Sequence, residues 1–236
     1  MKNKKLLFTK GHISKIGVKD PNLDGMSAAL PKQKILSPYD VFNKCISRAK
    51  NLIACKQCKD KKENLGDFYR AAVVLSISAL DAFIRTTITT RIKDIVLDKK
   101  NVGDELYKYL EKLLPHKELF NAARQNNFLQ KIENVLKKDF EIQSFQGEEK
   151  ISTFLKMIGH NDIFSNVSKK INKNEGNLIK QLNDYTKRRH TIAHRGDYDL
   201  NQNPVVEIQI DYLYASSCVK FVEEITKAIN EIINKE

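Results

Sequence analysis

The fold of this chain is decided by the stretch Ala71-Ala72-Val73-Val74-Leu75-Ser76-Ile77-Ser78-Ala79-Leu80-Asp81-Ala82-Phe83-Ile84. Apolar residues lie on nearly every side of the helix that this segment predicts, as in a central helix packed all round. Its length and its small residues argue against a buried strand. Asp67 opens this helix and residues 85–97 extend it, although the β-branched run Thr86 to Thr90 weakens it locally. The stretch therefore predicts a helical core with other helices around it.

Further helical patterns lie on both sides of this segment. Ser37 and Pro38 are a typical helix start, a capping side chain followed by proline, for a helix to about Cys58. The remaining predicted helices are Asp104 to Leu114, Glu118 to about Phe140, Glu148 to Ile158, Ile163 to Ile171, Asn177 to His194, and Asp211 to about Ile233. Residues 205–210 are a candidate extended piece. Strand candidates are few, and no β-α alternation is present.

These patterns predict an all-α fold, an up-and-down helical bundle with long antiparallel helices and an inserted helical region. Residues 1–36 contain several glycines and prolines without sustained periodicity, which predicts an irregular N-terminal arm. Residues 37–236 form the helical domain, and residues 100–170 are its helical insertion.

Composition indicates a soluble globular protein, with 41% hydrophobic and 30% charged residues. The net charge of +12 favours a polyanionic partner such as RNA, although AT-rich coding also produces chains rich in Lys, Asn and Ile. The apolar run at the N-terminus is too short for a signal peptide, and no stretch is expected to reach transmembrane length. Four irregularly placed cysteines suit a reducing compartment. We therefore expect a cytoplasmic protein with no membrane association.

The stretch Arg188-Arg189-His190-Thr191-Ile192-Ala193-His194-Arg195-Gly196-Asp197 points most directly at chemistry. It combines fixed positive charges, two of the chain's five histidines and a glycine suited to end a helix. On an ideal helix Arg189 falls near the centre of the apolar stripe, where its charge needs a carboxylate, a phosphate or a subunit boundary. A structural ion pair with an acidic residue such as Asp81 is the alternative explanation.

His190 and His194 are four residues apart and therefore share a helix face, for which three interpretations are open. They are two exposed histidines beside the helix dipole, or a metal pair completed by Asp197 or Asp199, or acid-base groups acting on a phosphate that arginine binds. The neighbouring arginines oppose cation binding, so no metal and no cofactor are expected.

Asp81 lies inside the apolar helix and needs a partner for its carboxylate. Arg85, one turn further on, is one candidate partner. The region of Arg189 and His190 is the other, in which case Asp81 supports the site.

The Arg/His cluster and the apolar helix before it resemble sequence features of the HEPN superfamily. Arg189 and His194, with four residues between them, resemble its Arg-x4-6-His signature. The helix from Ala71 to Ile84 is similar to the long apolar helix that precedes the motif helix in RiboL-PSP-type HEPN domains, and the ending from His194 to Asp197 is also similar to that group.

The resemblance implies a metal-independent endoribonuclease, often a toxin or anti-phage defence effector, whose site forms where two copies meet in a homodimer. It implies that His194 acts as general acid/base on the RNA 2′-hydroxyl, giving 2′,3′-cyclic phosphate ends, and that Arg189 stabilises the scissile phosphate. His190 would orient substrate or a catalytic partner, and Arg188 and Arg195 would bind the RNA backbone. An antitoxin or regulatory protein is a further candidate partner.

One geometric feature bears on this assignment. On an ideal helix Arg189 and His194 lie about 140° apart, so they do not share a face. Either the helix distorts near Thr191, or Arg189 reaches around it, or the two residues serve a composite cleft across a two-fold axis.

Two other functions remain open at this point. One is a catalytically inactive HEPN-like module that binds RNA or protein, and the other is a metal-dependent phosphohydrolase. HEPN proteins that receive nucleotides carry a Tyr two residues after the motif His; here that position is Gly196, which argues against that subgroup.

Overall fold

The computed structural model describes residues 36–55, 65–97, 103–125 and 127–235. This part of the chain is mostly helical, with nine helices packed antiparallel, which confirms the predicted fold class. The helices are α1 (Pro38–Ala54), α2 (Leu65–Leu97), α3 (Asp104–Leu113), α4 (His116–Arg124), α5 (Phe128–Ile142), α6 (Glu148–Met157), α7 (Ile163–Ile171), α8 (Glu175–Arg195) and α9 (Tyr212–Ile233). Strands β1 (Tyr198–Asp199) and β2 (Val206–Glu207) pair antiparallel between α8 and α9. Residues 1–35 of the predicted N-terminal arm lie outside the described residues.

Helix α1 begins where its sequence predicts. The Ser37 hydroxyl accepts a hydrogen bond from the Asp40 amide at 3.1 Å, and the Asp40 carboxylate accepts one from the Ser37 amide at 3.1 Å. This reciprocal capping box satisfies two amides at the helix start. The helix ends at Ala54, however, and not near Cys58 as expected, because Cys55 already has extended backbone angles.

Helix α2 lies at the centre of the described bundle and packs against α1, α5, α6, α8 and α9. Its buried side chains include Ile77, Leu80 and Phe83 and lie on all sides of the helix. The threonine run does not interrupt it: the Thr86 and Thr89 hydroxyls donate to carbonyls one turn earlier, at 2.7 and 2.9 Å. The extension of the helix through residues 85–97 is therefore confirmed.

The same helix corrects the expectation that no segment reaches transmembrane length. Among the described residues, α2 is long and apolar enough to cross a membrane, judged by length and composition alone. Of its most apolar window, 56% is buried against the rest of the fold. Buried core helices pass the same test, so α2 alone is weak evidence for a membrane span.

Five helices, α3 to α7, lie between α2 and α8 in the chain, where the sequence predicts a helical insertion. The single helix predicted from Glu118 to about Phe140 is wrong, since the chain leaves the helix after Arg124 and enters α5 only at Phe128. Asparagine competes for backbone hydrogen bonds and favours helix ends, which fits Asn127 immediately before α5. Tyr109 of α3 donates to Asp139 of α5 at 2.6 Å and joins the two helices.

Candidate functional site

Helix α8 carries the Arg/His cluster and is fixed at both ends by its own sequence. Asn174 caps its start by accepting a hydrogen bond from the Asn177 amide at 3.0 Å. Leu178, Leu182 and Tyr185 bury one face of the helix in the bundle. Gly196 ends the helix in the left-handed region at φ 60°, as the sequence predicts. The cluster therefore occupies the last two turns of a helix that is anchored to the core.

Arg189 is half-buried and continues this packed face one turn beyond Tyr185. Its Nε atom is enclosed and has no hydrogen-bond partner. Within the part of the chain that the structure describes, Arg189 forms no ion pair and no hydrogen bond, in contrast with Arg70, Arg85 and Arg188. A partly desolvated guanidinium without a carboxylate favours an external anion, and a phosphate offers the matching geometry.

His190 and His194 lie side by side on the exposed surface of α8. Their rings are stacked, with centroids 5.6 Å apart and planes 19° from parallel. Burial, together with the charges of Arg189 and His194, lowers the pKa of His190 below its usual value. Since the charge of Arg189 acts on His190, the three side chains lie in one neighbourhood. The neutral form of the His190 imidazole is therefore favoured beside a fixed positive charge.

This arrangement bears on the angular separation of Arg189 and His194. Helix α8 continues without a break from Glu175 to Arg195, and the Thr191 hydroxyl donates to the Lys187 carbonyl at 3.1 Å as in an ordinary helix. A break near Thr191 is thus not the explanation. Around the helix axis, His190 lies between Arg189 and His194. The three side chains form one row of basic and ionisable groups.

Arg188 points away from this row and is bound inside the protein. Its guanidinium donates to Asp197 Oδ2 at 2.7 Å and to the carbonyls of Ile208 and Gln209, both at 3.1 Å, and it lies over the Tyr214 ring. With 14% of its side chain exposed, it has little surface left to offer RNA. These contacts argue against the predicted role of Arg188 in binding the RNA backbone. Arg195 is exposed and forms no ion pair in the described residues, so it keeps that role as a prediction.

Asp81 also has a different role from the one proposed for it in the site. Its Oδ2 accepts from Arg85 at 3.0 Å, and its Oδ1 accepts from the Phe145 amide at 2.6 Å. Arg85 in turn donates to the Gln143 carbonyl at 2.9 Å. The first of the two candidate partners is therefore the one observed, and Asp81 fixes the α5–α6 connection and does not support Arg189 or His190.

Asp197 and Arg70 are the residues near the site whose importance sequence reasoning missed. Asp197 is fully buried, and its Oδ2 accepts from Arg70 Nε at 2.8 Å as well as from Arg188. Burial alone would lower the pKa of Arg70, but the hydrogen bond to Asp197 and the charges of Glu207 and Asp197 raise it. Since Arg70 and Asp197 are 127 residues apart, no local pattern connects them.

These contacts also leave the metal interpretation without its proposed third ligand. The Asp197 carboxylate is held by two guanidinium groups. Asp199 accepts from the Asn201 amide at 3.0 Å and from Gln202 at 2.9 Å. Across the described ranges, no group of three His, Cys, Asp or Glu side chains is placed to hold a metal ion.

An apolar groove lies beside the end of the motif helix. It has a volume of about 490 Å³ and is lined mainly by Ala71, Val74 and Leu75 of α2 and by Ile192 of α8, next to Gly196. The groove is open to the surface. The groove lies on the Ile192 side of α8, about 160° around the helix from His190 and His194.

Comparison with known proteins agrees with the motif. A family model described as RiboL-PSP-HEPN matches residues 43–235, which span α8 and most of the chain. Neither a curated protein nor a solved structure gives a significant match to the chain.

We expect Arg189→Ala to raise the pKa of His190 toward its ordinary value, because one of the positive charges that lower it is removed. NMR titration of the imidazole protons measures this shift. Arg195→Ala is the matched control, since the charges that lower the pKa of His190 are those of Arg189 and His194. An unchanged His190 titration in Arg189→Ala would show that Arg189 does not lie beside His190 in solution.

Proposed function

The chain belongs to the RiboL-PSP-HEPN family, a family of predicted ribonucleases, and from this premise we propose that it is a metal-independent endoribonuclease. The substrate is RNA, and the reacting groups come from the end of α8. The biological role that we propose is that of a toxin or an anti-phage defence effector acting in the cytoplasm. An antitoxin or regulatory protein is its proposed controlling partner.

The observation that carries this proposal is the unpaired guanidinium of Arg189. The other arginines that are mostly buried around α8, Arg70 and Arg188, have a carboxylate and backbone carbonyls as partners. Arg189 has none among the described residues, although its Nε is enclosed. A partly enclosed guanidinium without a carboxylate partner is suited to bind a phosphate. The adjacent imidazoles supply groups that accept and donate protons.

The proposed reaction uses these groups in one displacement at phosphorus. His194 removes the proton from the 2′-hydroxyl, and the 2′-oxygen attacks the adjacent phosphorus. The bond from phosphorus to the 5′-oxygen breaks, which gives a 2′,3′-cyclic phosphate and a 5′-hydroxyl. Arg189 stabilises the additional negative charge of the pentacoordinate phosphorus. His190, whose neutral form is favoured, orients the substrate or the catalytic partner.

A second copy of the chain fits this chemistry. The departing 5′-oxygen takes up a proton from water, and the imidazolium of His194 returns its proton to solvent, so each site needs one His194 and one Arg189. The open apolar groove between α2 and α8 lies on the Ile192 side of the motif helix and offers apolar surface for such a contact. Arg189 and His194 face different directions on α8, as a cleft built from two chains allows. We therefore propose a homodimer with a composite site.

The cleavage reaction itself is tested with purified protein and mixed RNA, with and without EDTA. We expect cleavage that survives EDTA and leaves cyclic phosphate ends. His194→Ala should slow it by about 100-fold to 10,000-fold, and Arg189→Ala by about 100-fold to 1,000-fold. His116→Ala and Arg124→Ala are matched controls, since both residues lie on α4, which packs against α5.

Two outcomes would contradict this function. Binding of RNA without cleavage would indicate the alternative, a catalytically inactive HEPN-like module that binds RNA or protein. Cleavage that EDTA abolishes would indicate a metal-dependent phosphohydrolase.

The composite site is tested by mixing Arg189→Ala with His194→Ala protein after both have been dissociated and reassociated. If each site takes Arg189 from one chain and His194 from the other, heterodimers contain one intact site. The mixture should then recover about a quarter of the wild-type rate, since half of the dimers are mixed. Each variant reassociated with itself is the control. No recovery would place both residues of a site on one chain.

The biological role is tested by expression in a bacterial host. We expect growth arrest with the wild-type chain and relief with Arg189→Ala, because the phosphate-binding group is lost. Arg124→Ala, expressed to the same level, should remain toxic. Equal toxicity of wild type and Arg189→Ala would contradict a role that depends on RNA cleavage.

A further inference from the structure

The end of α8 is tied to the rest of the protein by a buried charge network. Asp197 lies three residues after His194, and its side chain is fully buried. Its Oδ2 accepts from Arg70 of α2 at 2.8 Å and from Arg188 of α8 at 2.7 Å. These two arginine side chains are 13% and 14% exposed, so the pairing takes place largely out of water. An ion pair in such surroundings is screened little by solvent.

The backbone of Asp197 makes further connections. Its amide donates to the Thr191 carbonyl at 3.2 Å, and its own carbonyl accepts from the Ile208 amide at 2.8 Å. Asp197 has φ 68°, directly after Gly196 at φ 60°. Two consecutive left-handed residues turn the chain sharply, and a non-glycine residue there is strained unless its side chain is held. The two guanidinium groups provide that restraint.

Arg70 and Arg188 extend the network to Glu207 of β2 and to Ile208, the residue that follows it. Arg70 contacts Glu207 at 2.5 Å and donates to the Ile208 carbonyl at 3.2 Å. Arg188 donates to the same carbonyl at 3.1 Å. The three side chains therefore join α2, the end of α8 and the chain after β2 around one point.

The catalytic histidine has no comparable support of its own. Within the described residues the His194 side chain forms no hydrogen bond and no ion pair, and its contact is the stacked ring of His190. Its position consequently depends on where the last turn of α8 lies. Arg188 precedes His194 by six residues and Asp197 follows it by three, so the network holds the motif on both sides.

We propose that Arg70, Asp197 and Arg188 form a positioning unit that holds the end of α8 and thereby orients His194 for RNA cleavage. This inference rests on the proposed function. None of the three is a catalytic residue, because Asp197 is inaccessible and both guanidinium groups are bound to it. Misplacing a reacting group by about 1 Å costs on the order of 100-fold in rate, which is the effect that the unit prevents.

The test uses the full chain with Asp197→Asn, which keeps the shape of the side chain and removes its charge. We expect kcat for RNA cleavage to fall by about 10-fold to 100-fold while KM changes by less than about threefold, because Arg189 and Arg195 still bind substrate. Amide hydrogen exchange of residues 194–197 should become faster, since the restraint on the turn is weakened.

Two control variants separate positioning from general stability. Asp67→Asn removes an exposed carboxylate that accepts from Arg70 at 3.2 Å and leaves both Asp197 and Glu207 in place, so kcat and exchange at residues 194–197 should stay at wild-type values. Asp139→Asn removes a part-buried carboxylate that binds Tyr109 far from α8 in the sequence. It should lower the melting temperature without a selective loss of kcat. Arg70→Lys keeps the charge but loses the separate contacts that Nε makes to Asp197 and Nη2 makes to Ile208. It should give a smaller loss of kcat than Asp197→Asn, and it serves if the latter does not fold.

The outcomes distinguish this inference from the proposed function. A wild-type protein that cleaves no RNA contradicts the proposed function, and the positioning role with it. A wild-type protein that cleaves, with normal kcat and exchange in Asp197→Asn or in Arg70→Lys, overturns the positioning unit alone. So does a kcat loss that Asp139→Asn reproduces at an equal fall in melting temperature.

Discussion

The fold depends on the burial of α2, whose apolar residues lie on all sides of the helix and pack against neighbouring helices. Eleven of its residues are buried, and they include Ala72, Leu80, Ile84 and Ile92 in different directions around the axis. Apolar surface of this kind gains roughly 25 cal/mol for each Å² removed from water, so a helix that is apolar all round requires several neighbours. Helix α8 is one of them. The motif thus acquires its location from core packing, because the helix that carries it is one of the covers of α2.

That packing brings the first turns of α2 to the end of α8, where charges decide the local structure. Arg70 and Arg188 converge on Asp197, and Arg85 is bound by Asp81. Each of these pairs offsets part of the cost of taking charge out of water, although Asp197 Oδ1 and Arg188 Nε stay without a partner among the described residues. Arg189 has no carboxylate partner at all in the described residues. The contrast between satisfied and unsatisfied guanidinium groups separates residues that hold the protein together from one that is available for a ligand.

Much of the fold was predictable because its signals are local. The start of α1 follows from Ser37 and Pro38, and the end of α8 from Gly196, since caps act within a few residues. The break between α4 and α5 was not predicted, because the apolar spacing continues across it while the polar residues before Phe128 end the helix. The expectation that no segment reaches transmembrane length was wrong for α2, which is long and apolar enough to do so. Composition alone does not distinguish such a buried helix from a membrane span.

The sequence by itself determined the helical class, the central place of the apolar helix, and the motif of Arg189 and His194 with its family resemblance. These properties are written in residue type and spacing along one helix. Only the tertiary structure decided which arginine is free: Arg188 is bound by Asp197, Asp81 is bound to Arg85, and Arg189 remains open. The reason is that ion pairing depends on distance in space. Asp197 and Arg70, 127 residues apart in sequence, become partners only when α8 packs against α2.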